Sequence, residues 1–146
     1  MDSTPRPEAA PPAADPALDE AACASALAFD VFARACPSRE VLEHVTGRWG
    51  TLTLTALHDG AHRFNELRRR VEGVSEKMLS QTLHALERDG LVRREAQPTN
   101  PPRVDYELTE AGRGVAEKLL VMIDHLEEAM PGVLSARESY DARAGR

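Results

Sequence analysis

A mainly α-helical domain carrying one small β-hairpin is the fold class that this 146-residue sequence predicts. Three observations lead there. Apolar residues recur at helical spacing in successive stretches up to Gly90. The pattern then changes to strand-like segments on either side of Pro98-Thr99-Asn100-Pro101-Pro102, a turn that a strand cannot pass through. A last long stretch returns to helical spacing. The length suits one domain and leaves no room for a separate cofactor domain. Aromatic residues are 4% of the chain, so the core must be built from Leu, Val and Ala.

The elements follow in order. Residues 1–16 hold five of the ten prolines and many alanines. Such a segment cannot bury enough apolar area to offset its ordering entropy, and a disordered tail is expected. Asp15-Pro16 is a helix-start signal, with Asp at the N-cap and Pro at the first helical position. A helix over Ala17–Ala35 follows, with Leu27, Val31 and Ala35 on a broad apolar face, and it must end before Pro37. A second helix turns Val41, Leu42 and Val45 inward and stops near Gly47. A third, Trp49 to Leu57, is apolar on most sides, as a buried central helix is. Asp59-Gly60 makes a turn. Phe64 to Val71 forms a short helix with Phe64, Leu67 and Val71 on one side, ended by Gly73. Ser75 opens a longer helix to Asp89, and Gly90 stands at its C′ position. Leu91–Gln97 and Arg103–Leu108 are the two strands. Thr109 caps a final helix that is expected to stop at Pro131-Gly132, leaving residues 132–146 as a flexible tail. Compact helices followed by a two-stranded ribbon are the winged helix-turn-helix arrangement, here one domain over residues 17–131 with dimerising helices at its N- and C-terminal ends.

Charge is unevenly spread. The chain carries a net −6, yet residues 63–103 hold nine basic and six acidic side chains, while residues 1–36 and 104–146 are each net acidic. For a nucleic-acid partner the local field counts more than the total. On a helical wheel of Ser75–Arg88, Leu79, Thr82 and Leu86 share one side and Lys77, Ser80, Gln81, His84 and Arg88 the other. Every residue of the second side can donate a hydrogen bond, and Gln81 can address adenine in a major groove. Ser75 and Ser80 suit phosphate oxygens near a helix N-terminus. Taken alone, such a stripe is an ordinary solvated face. A short helix before it and a basic hairpin after it make it a recognition surface for double-stranded DNA. In the hairpin, Arg94 and Arg103 flank the tip and are the expected contacts. Arg93 is the third wing arginine, and Glu95, Asp105 and Glu107 are near enough to pair with these cations. Arg68-Arg69-Arg70 form a short basic run before the Ser75–Arg88 helix, and one of the three is expected to face phosphate. Val115, Leu119, Met122, Leu126 and Ala129 are spaced 4, 3, 4, 3, the 3.5-residue seam of a helix that meets another helix, so a homodimer is expected. The competing expectation is packing onto the chain's own body.

These blocks carry a family resemblance. Cys36-Pro37, Gly47-Arg48-Trp49, Arg63-Phe64-Asn65-Glu66-Leu67, Ser75-Glu76-Lys77-Met78-Leu79, Leu86 to Val92 and Pro101 to Gly112 together resemble the HxlR family, bacterial winged-helix regulators of the MarR-like group. The similarity spans roughly residues 36–130. It implies a homodimer that binds operator DNA and regulates transcription. It also matches Cys36 to an N-terminal cysteine that senses oxidants or electrophiles in several members. Physics adds that a thiol just before Pro37 lies at a helix N-cap with Arg34 and Arg39 close in sequence, which favours thiolate. Cys23 is the candidate resolving partner. Cysteine is also a common small core residue, so packing is the competing role.

Other classes are disfavoured. His58 and His62 are four apart with Asp59-Gly60 between them, too few ligands for a metal. No nucleophile turn or glycine-rich phosphate loop is present, so neither an enzyme nor a cofactor is expected. A winged-helix module that binds proteins instead of DNA is the main alternative, and the basic face of the Ser75–Arg88 helix speaks against it. No apolar run approaches a membrane span and no signal peptide opens the chain, so the expected compartment is a reducing cytoplasm.

Overall fold

The computed structural model describes residues 29–145. The chain divides into two units, one ending at Glu43 and the other starting at His44.

In the first unit, residues 29–36 form a succession of turns and not the end of the expected helix. Its earlier part, residues 17–28, lies outside the described residues, as does the expected tail over residues 1–16. The cause of the turns is local. The Asp30 carboxylate accepts from the Phe32 N–H at 3.0 Å, so a side chain takes a backbone donor. The N–H groups of Ala33 and Cys36 then close turns onto Asp30 O and Ala33 O. Helix α1, Pro37–Thr46, starts with proline in its first position, where a missing N–H costs nothing. Leu42 does not point inward as expected: 41% of it is exposed.

In the second unit, α2 (Arg48–Ala56) runs into a single 3-10 turn, Leu57–Asp59. A two-residue strand β1, His62–Arg63, leads into α3 (Phe64–Arg70). Helix α4 (Glu76–Arg88), strands β2 (Val92–Gln97) and β3 (Arg103–Leu108), and α5 (Glu110–Ala144) complete the order. The three strands form one antiparallel sheet in the order β1-β3-β2. Strand β1 escapes the sequence pattern because two residues cannot show an alternation.

Leu54, Leu57, Leu67, Leu79 and Leu86 are each at most 1% exposed and make the centre of the core, as the helical spacing requires. Burying each contributes about 1.5–3 kcal/mol. Gly50 lets α2 approach the end of α1, since a Cβ there would collide with the His44 carbonyl. The Thr51 hydroxyl also donates to Val45 O at 2.7 Å.

Helix α4 begins and ends as its sequence demands. Ser75 Oγ accepts from the Met78 N–H at 3.1 Å. At the other end Gly90, at φ 74°, donates to Glu87 O at 3.0 Å, and Leu91 donates to Leu86 O at 2.9 Å. This pair of bonds is a Schellman motif, which favours glycine at the left-handed residue. The start of α5 is built on the same spot. Thr109 Oγ1 donates to Gly90 O at 2.6 Å and accepts from the Gly112 N–H at 3.1 Å, while Thr109 N–H donates to Leu91 O.

Helix α5 does not stop at Pro131. It continues to Ala144, so the expected flexible tail over residues 132–146 is helical through residue 144. Proline inside a helix removes one intrahelical bond and costs about 3 kcal/mol. Here the helix formers Ala129 and Met130 before it, and Leu134, Ala136, Arg137 and Glu138 after it, carry the helix through.

Gly112 is a second close approach, as tight as that at Gly50. A side chain there would strike the Leu91 carbonyl, which belongs to the backbone and cannot swing aside. Gly112→Ala should therefore lower stability by about 1–3 kcal/mol in denaturant unfolding. Gly114→Ala, two residues on with open space around it, should not lower it.

Candidate nucleic-acid interface

The surface of interest is built on α4. Leu79, Leu83 and Leu86 are buried beneath it, which turns Lys77, Ser80, Gln81, His84 and Arg88 to the exposed side. Five donor side chains thus share one face of a 13-residue helix whose buried side is anchored in the core. Ser75 has a prior duty as N-cap: its oxygen is occupied by the Met78 N–H, and its own O–H is left to donate outward. The preceding helix α3 ends in Arg68, Arg69 and Arg70, all exposed, and the bend at Val71–Ser75 joins α3 to α4 as a helix-turn-helix.

The wing is registered by the pairs Val92↔Leu108, Arg94↔Tyr106 and Gln97↔Arg103. Alternation along the strands puts Val92, Arg94 and Ala96 on one face of the sheet and Arg93, Glu95 and Gln97 on the other. Arg93 donates to Glu107 on the adjacent strand at 2.9 Å. Arg103 stands beside the tip, as expected, but its Nε donates to Asp105 Oδ1 at 2.9 Å. Arg94 does not flank the tip: it sits mid-strand opposite Tyr106, because β2 continues to Gln97 before the turn begins. It is exposed and makes no ion pair with any described residue. With Ser80, Leu83, His84 and Glu87 of α4 and Tyr106 of β3 it lines a cleft of about 280 Å³ between helix and wing.

A larger open groove, about 800 Å³, lies between the start of α3 and the wing tip. Arg63, Asn65 and Arg69 face Thr99 to Val104 across it. Of these three only Arg69 belongs to a run that the sequence marks as basic; Arg63 and Asn65 come to the site through the pairing of β1 with β3, which brings the start of α3 to the wing. Within this groove Glu66 meets His62 Nδ1 at 3.3 Å. That hydrogen bond holds the Glu66 carboxyl below its ordinary pKa.

The expected dimer seam divides. Leu119 is 7% exposed and Val115 is half-buried, because the first turns of α5 pack on α2. These two serve the chain's own core, the competing expectation. Met122 and Leu126 remain 46% and 50% exposed, as does the distal apolar residue Leu134 at 55%. Cys36 is 2% exposed. Asp30 N–H and Ser38 O–H both point at its sulfur at 3.4 Å. Arg39 does not serve the thiol; its guanidinium donates to Val31 O and Phe32 O and pairs with Glu43. Cys23 lies outside the described residues. Among the described residues no three His, Cys, Asp or Glu side chains gather as a metal site, and no helix is long and apolar enough to cross a membrane.

A helix-turn-helix followed by a paired wing is what the comparisons with known proteins also find. Residues 44–133 match the model of the HxlR-like helix-turn-helix family. The chain belongs to the HxlR family. It is 54% identical to the HTH-type transcriptional regulator YtfH of Escherichia coli over 113 residues, which cover 77% of this chain and 90% of that one. A solved structure of the transcriptional regulator YtfH from Salmonella typhimurium superposes with a TM-score of 0.71 at 54% identity, covering 75% of this chain and 98% of the other. The redox regulator HypR in its oxidised form gives a TM-score of 0.59 at 38% identity, covering 64% and 96%. As an HxlR-family member this protein is a winged helix-turn-helix transcriptional regulator, the fold and class that the sequence predicts.

The Glu66 shift has a testable sign. The carboxyl's pKa is lowered on folding, so the bond stabilises the fold above the ordinary carboxylate range and is lost as pH falls through the lowered value. In His62→Ala the Glu66 titration, followed by carbon NMR, should move up toward that ordinary range.

Proposed function

We propose that this HxlR-family regulator binds double-stranded operator DNA sequence-specifically as a homodimer. Helix α4 lies in the major groove and the wing runs along the flanking backbone. The carrying observation is the exposed five-donor face of α4, held by a buried leucine row and followed by a wing whose Arg94 is unpaired among the described residues. In this reading Gln81 reads base edges. Ser75, Lys77, Ser80, His84, Arg88, Arg94 and Arg103 hold phosphates. The exposed Met122 and Leu126 of α5 support a helix-on-helix contact with a second copy, with Val115 and Leu119 bracing the helix from its own core. Two such α4 helices would read half-sites about one helical turn apart.

Sedimentation and fluorescence anisotropy test this together, with duplexes selected from a random pool. The expected result is a dimer that retains one preferred sequence. Gln81→Ala should lose about 1–3 kcal/mol at one or two base pairs while keeping its affinity for other sequences. A monomer at micromolar concentration with undiminished affinity overturns the dimer. No binding to any duplex at low salt leaves the protein-interaction module as the function.

A second reading concerns the trigger. The neighbouring HypR is a redox regulator, and the Cys36 sulfur receives two hydrogen-bond donors at the start of α1. We infer that an oxidant or small electrophile acts through Cys36, with Cys23 as the partner where a disulfide forms. Burial of Cys36 requires the turns over residues 29–36 to open before reagent arrives. Operator binding by wild type and Cys36→Ser, each reduced and oxidised, decides it. Wild type should lose affinity on oxidation by roughly 5–150-fold, the usual range of allosteric coupling, and the variant should not. Equal affinity in all four samples makes Cys36 a packing residue.

A further inference from the structure

The cleft between α4 and the wing holds more than a set of separate contacts. Ser80 and His84 are one helical turn apart on α4 and share a face. Across from them stands Arg94, brought there by its pairing with Tyr106 and by the alternation that turns it to the same sheet face as buried Val92. The wall between is Leu83, 2% exposed, and Tyr106. A hydroxyl, an imidazole and a guanidinium therefore line one opening of about 280 Å³. All three donate hydrogen bonds, and the two nitrogen bases carry or can acquire positive charge. The charged and titratable groups facing His84 are Glu87 and, one turn on, Arg88 on its own helix, Arg94 from β2 and Tyr106 from β3.

We propose that Ser80, His84 and Arg94 jointly seat a single backbone phosphate of bound DNA, so that the helix and the wing grip the duplex through one shared anion. This rests on the DNA-binding reading above and adds to it a joint site and a pH dependence. Arg94 supplies a permanent charge and a planar fork suited to phosphate oxygens. His84 supplies a second charge only when protonated. Imidazole is the side chain that exchanges its proton between about pH 5 and 8. A phosphate in the seat favours the imidazolium, so binding takes up a proton. Affinity is then highest in mild acid and falls as pH rises. Glu87 works against the same phosphate and sets a ceiling on the seat's strength.

A phosphate contact is independent of base sequence, so a random-sequence duplex of about 24 base pairs is a sufficient probe. Binding is titrated against salt at about pH 6 and about pH 8 for wild type, His84→Ala, Arg94→Ala, the double variant and Glu87→Gln. All of these positions are solvent-facing, and thermal melts confirm that each variant is folded. Wild type should bind roughly tenfold more tightly at the lower pH, the size of one charge-assisted hydrogen bond, and His84→Ala should erase that difference. Arg94→Ala should weaken binding at both values and lower the salt slope by about 1. Because the two residues share one anion, the double variant at the lower pH should bind within about twofold of Arg94→Ala alone. Glu87→Gln should tighten binding at both values. Additive losses in the double variant, or a pH dependence that survives His84→Ala, overturn the shared seat while leaving DNA binding intact. Failure of wild type to bind the duplex at low salt overturns both readings.

Discussion

The structure depends on one backbone junction, Asp89-Gly90-Leu91. Gly90 ends the recognition helix in a left-handed conformation, and the next residue already leads into the wing. Thr109 returns from the wing and bonds to both Gly90 and Leu91, and Gly112 seats the last helix against the Leu91 carbonyl. From the other side His44 reaches Asp89 Oδ2 at 2.6 Å. The Asp89 side chain is 7% exposed and that of His44 26%, so the contact is partly shielded from water. The end of α1, the return of the wing and the start of α5 are therefore all positioned on three consecutive residues, by the hydrogen bonds of His44 and Thr109 and by the close approach of Gly112. Backbone carbonyls and one glycine turn leave little freedom in such a joint, which is how a small domain with few aromatics keeps helix and wing in register.

Electrostatics set a second constraint. The chain is net acidic, yet residues 63–103 hold nine basic and six acidic side chains. The excess of base lies at Arg63 and in the run Arg68 to Arg70, whereas α4, and the two wing strands taken together, carry as many acids as bases. Within the wing the bases are partly neutralised by Glu107 and Asp105. These exposed pairs add little stability, about 0–1 kcal/mol each. Their effect is to restrict which arginines remain available to an anion. Arg93 and Arg103 must exchange a carboxylate for any other partner, whereas Arg94 faces no such competition from a bonded acid.

Much of the fold was legible because local signals agreed with one another. Ser75 and Gly90 bracket α4, Thr109 opens α5, and the prolines between Gln97 and Arg103 define the hairpin. The polar face of α4 was equally readable, since a leucine row at helical spacing dictates which residues must face out. Misreadings came where tertiary or side-chain effects won. Asp30 diverts a backbone donor and leaves turns where alanine-rich sequence favours helix. Pro131 is overridden by strong helix formers around it. Strand β1 exists only as a partner of β3, so the groove that Arg63, Asn65 and Arg69 line had no signature in the sequence. The 3.5-residue spacing on α5 was real, but spacing cannot say which part of a stripe a chain covers with its own α2. Leu119 is buried and Leu126 is half exposed, and the stripe divides between them.

The uninterrupted length of α5 has a mechanical consequence. Thirty-five residues make a rod about 52 Å long at the usual helical rise. Its buried residues, Gly112, Ala116 and Leu119, all lie in the first ten positions. Beyond Leu119 no residue of α5 is buried, although Leu120, Ile123 and Glu127 still line an open groove with Leu52 of α2 and Arg70 of α3. A tilt of about 5° at Leu91 carries the far end, some thirty residues away, through roughly 4 Å. Run in reverse, the same ratio reduces a displacement at the tip to a fine adjustment at the joint where the recognition helix ends. The length of α5 alone therefore ties any small rotation at the Leu91 joint to a displacement of several ångströms at the far end.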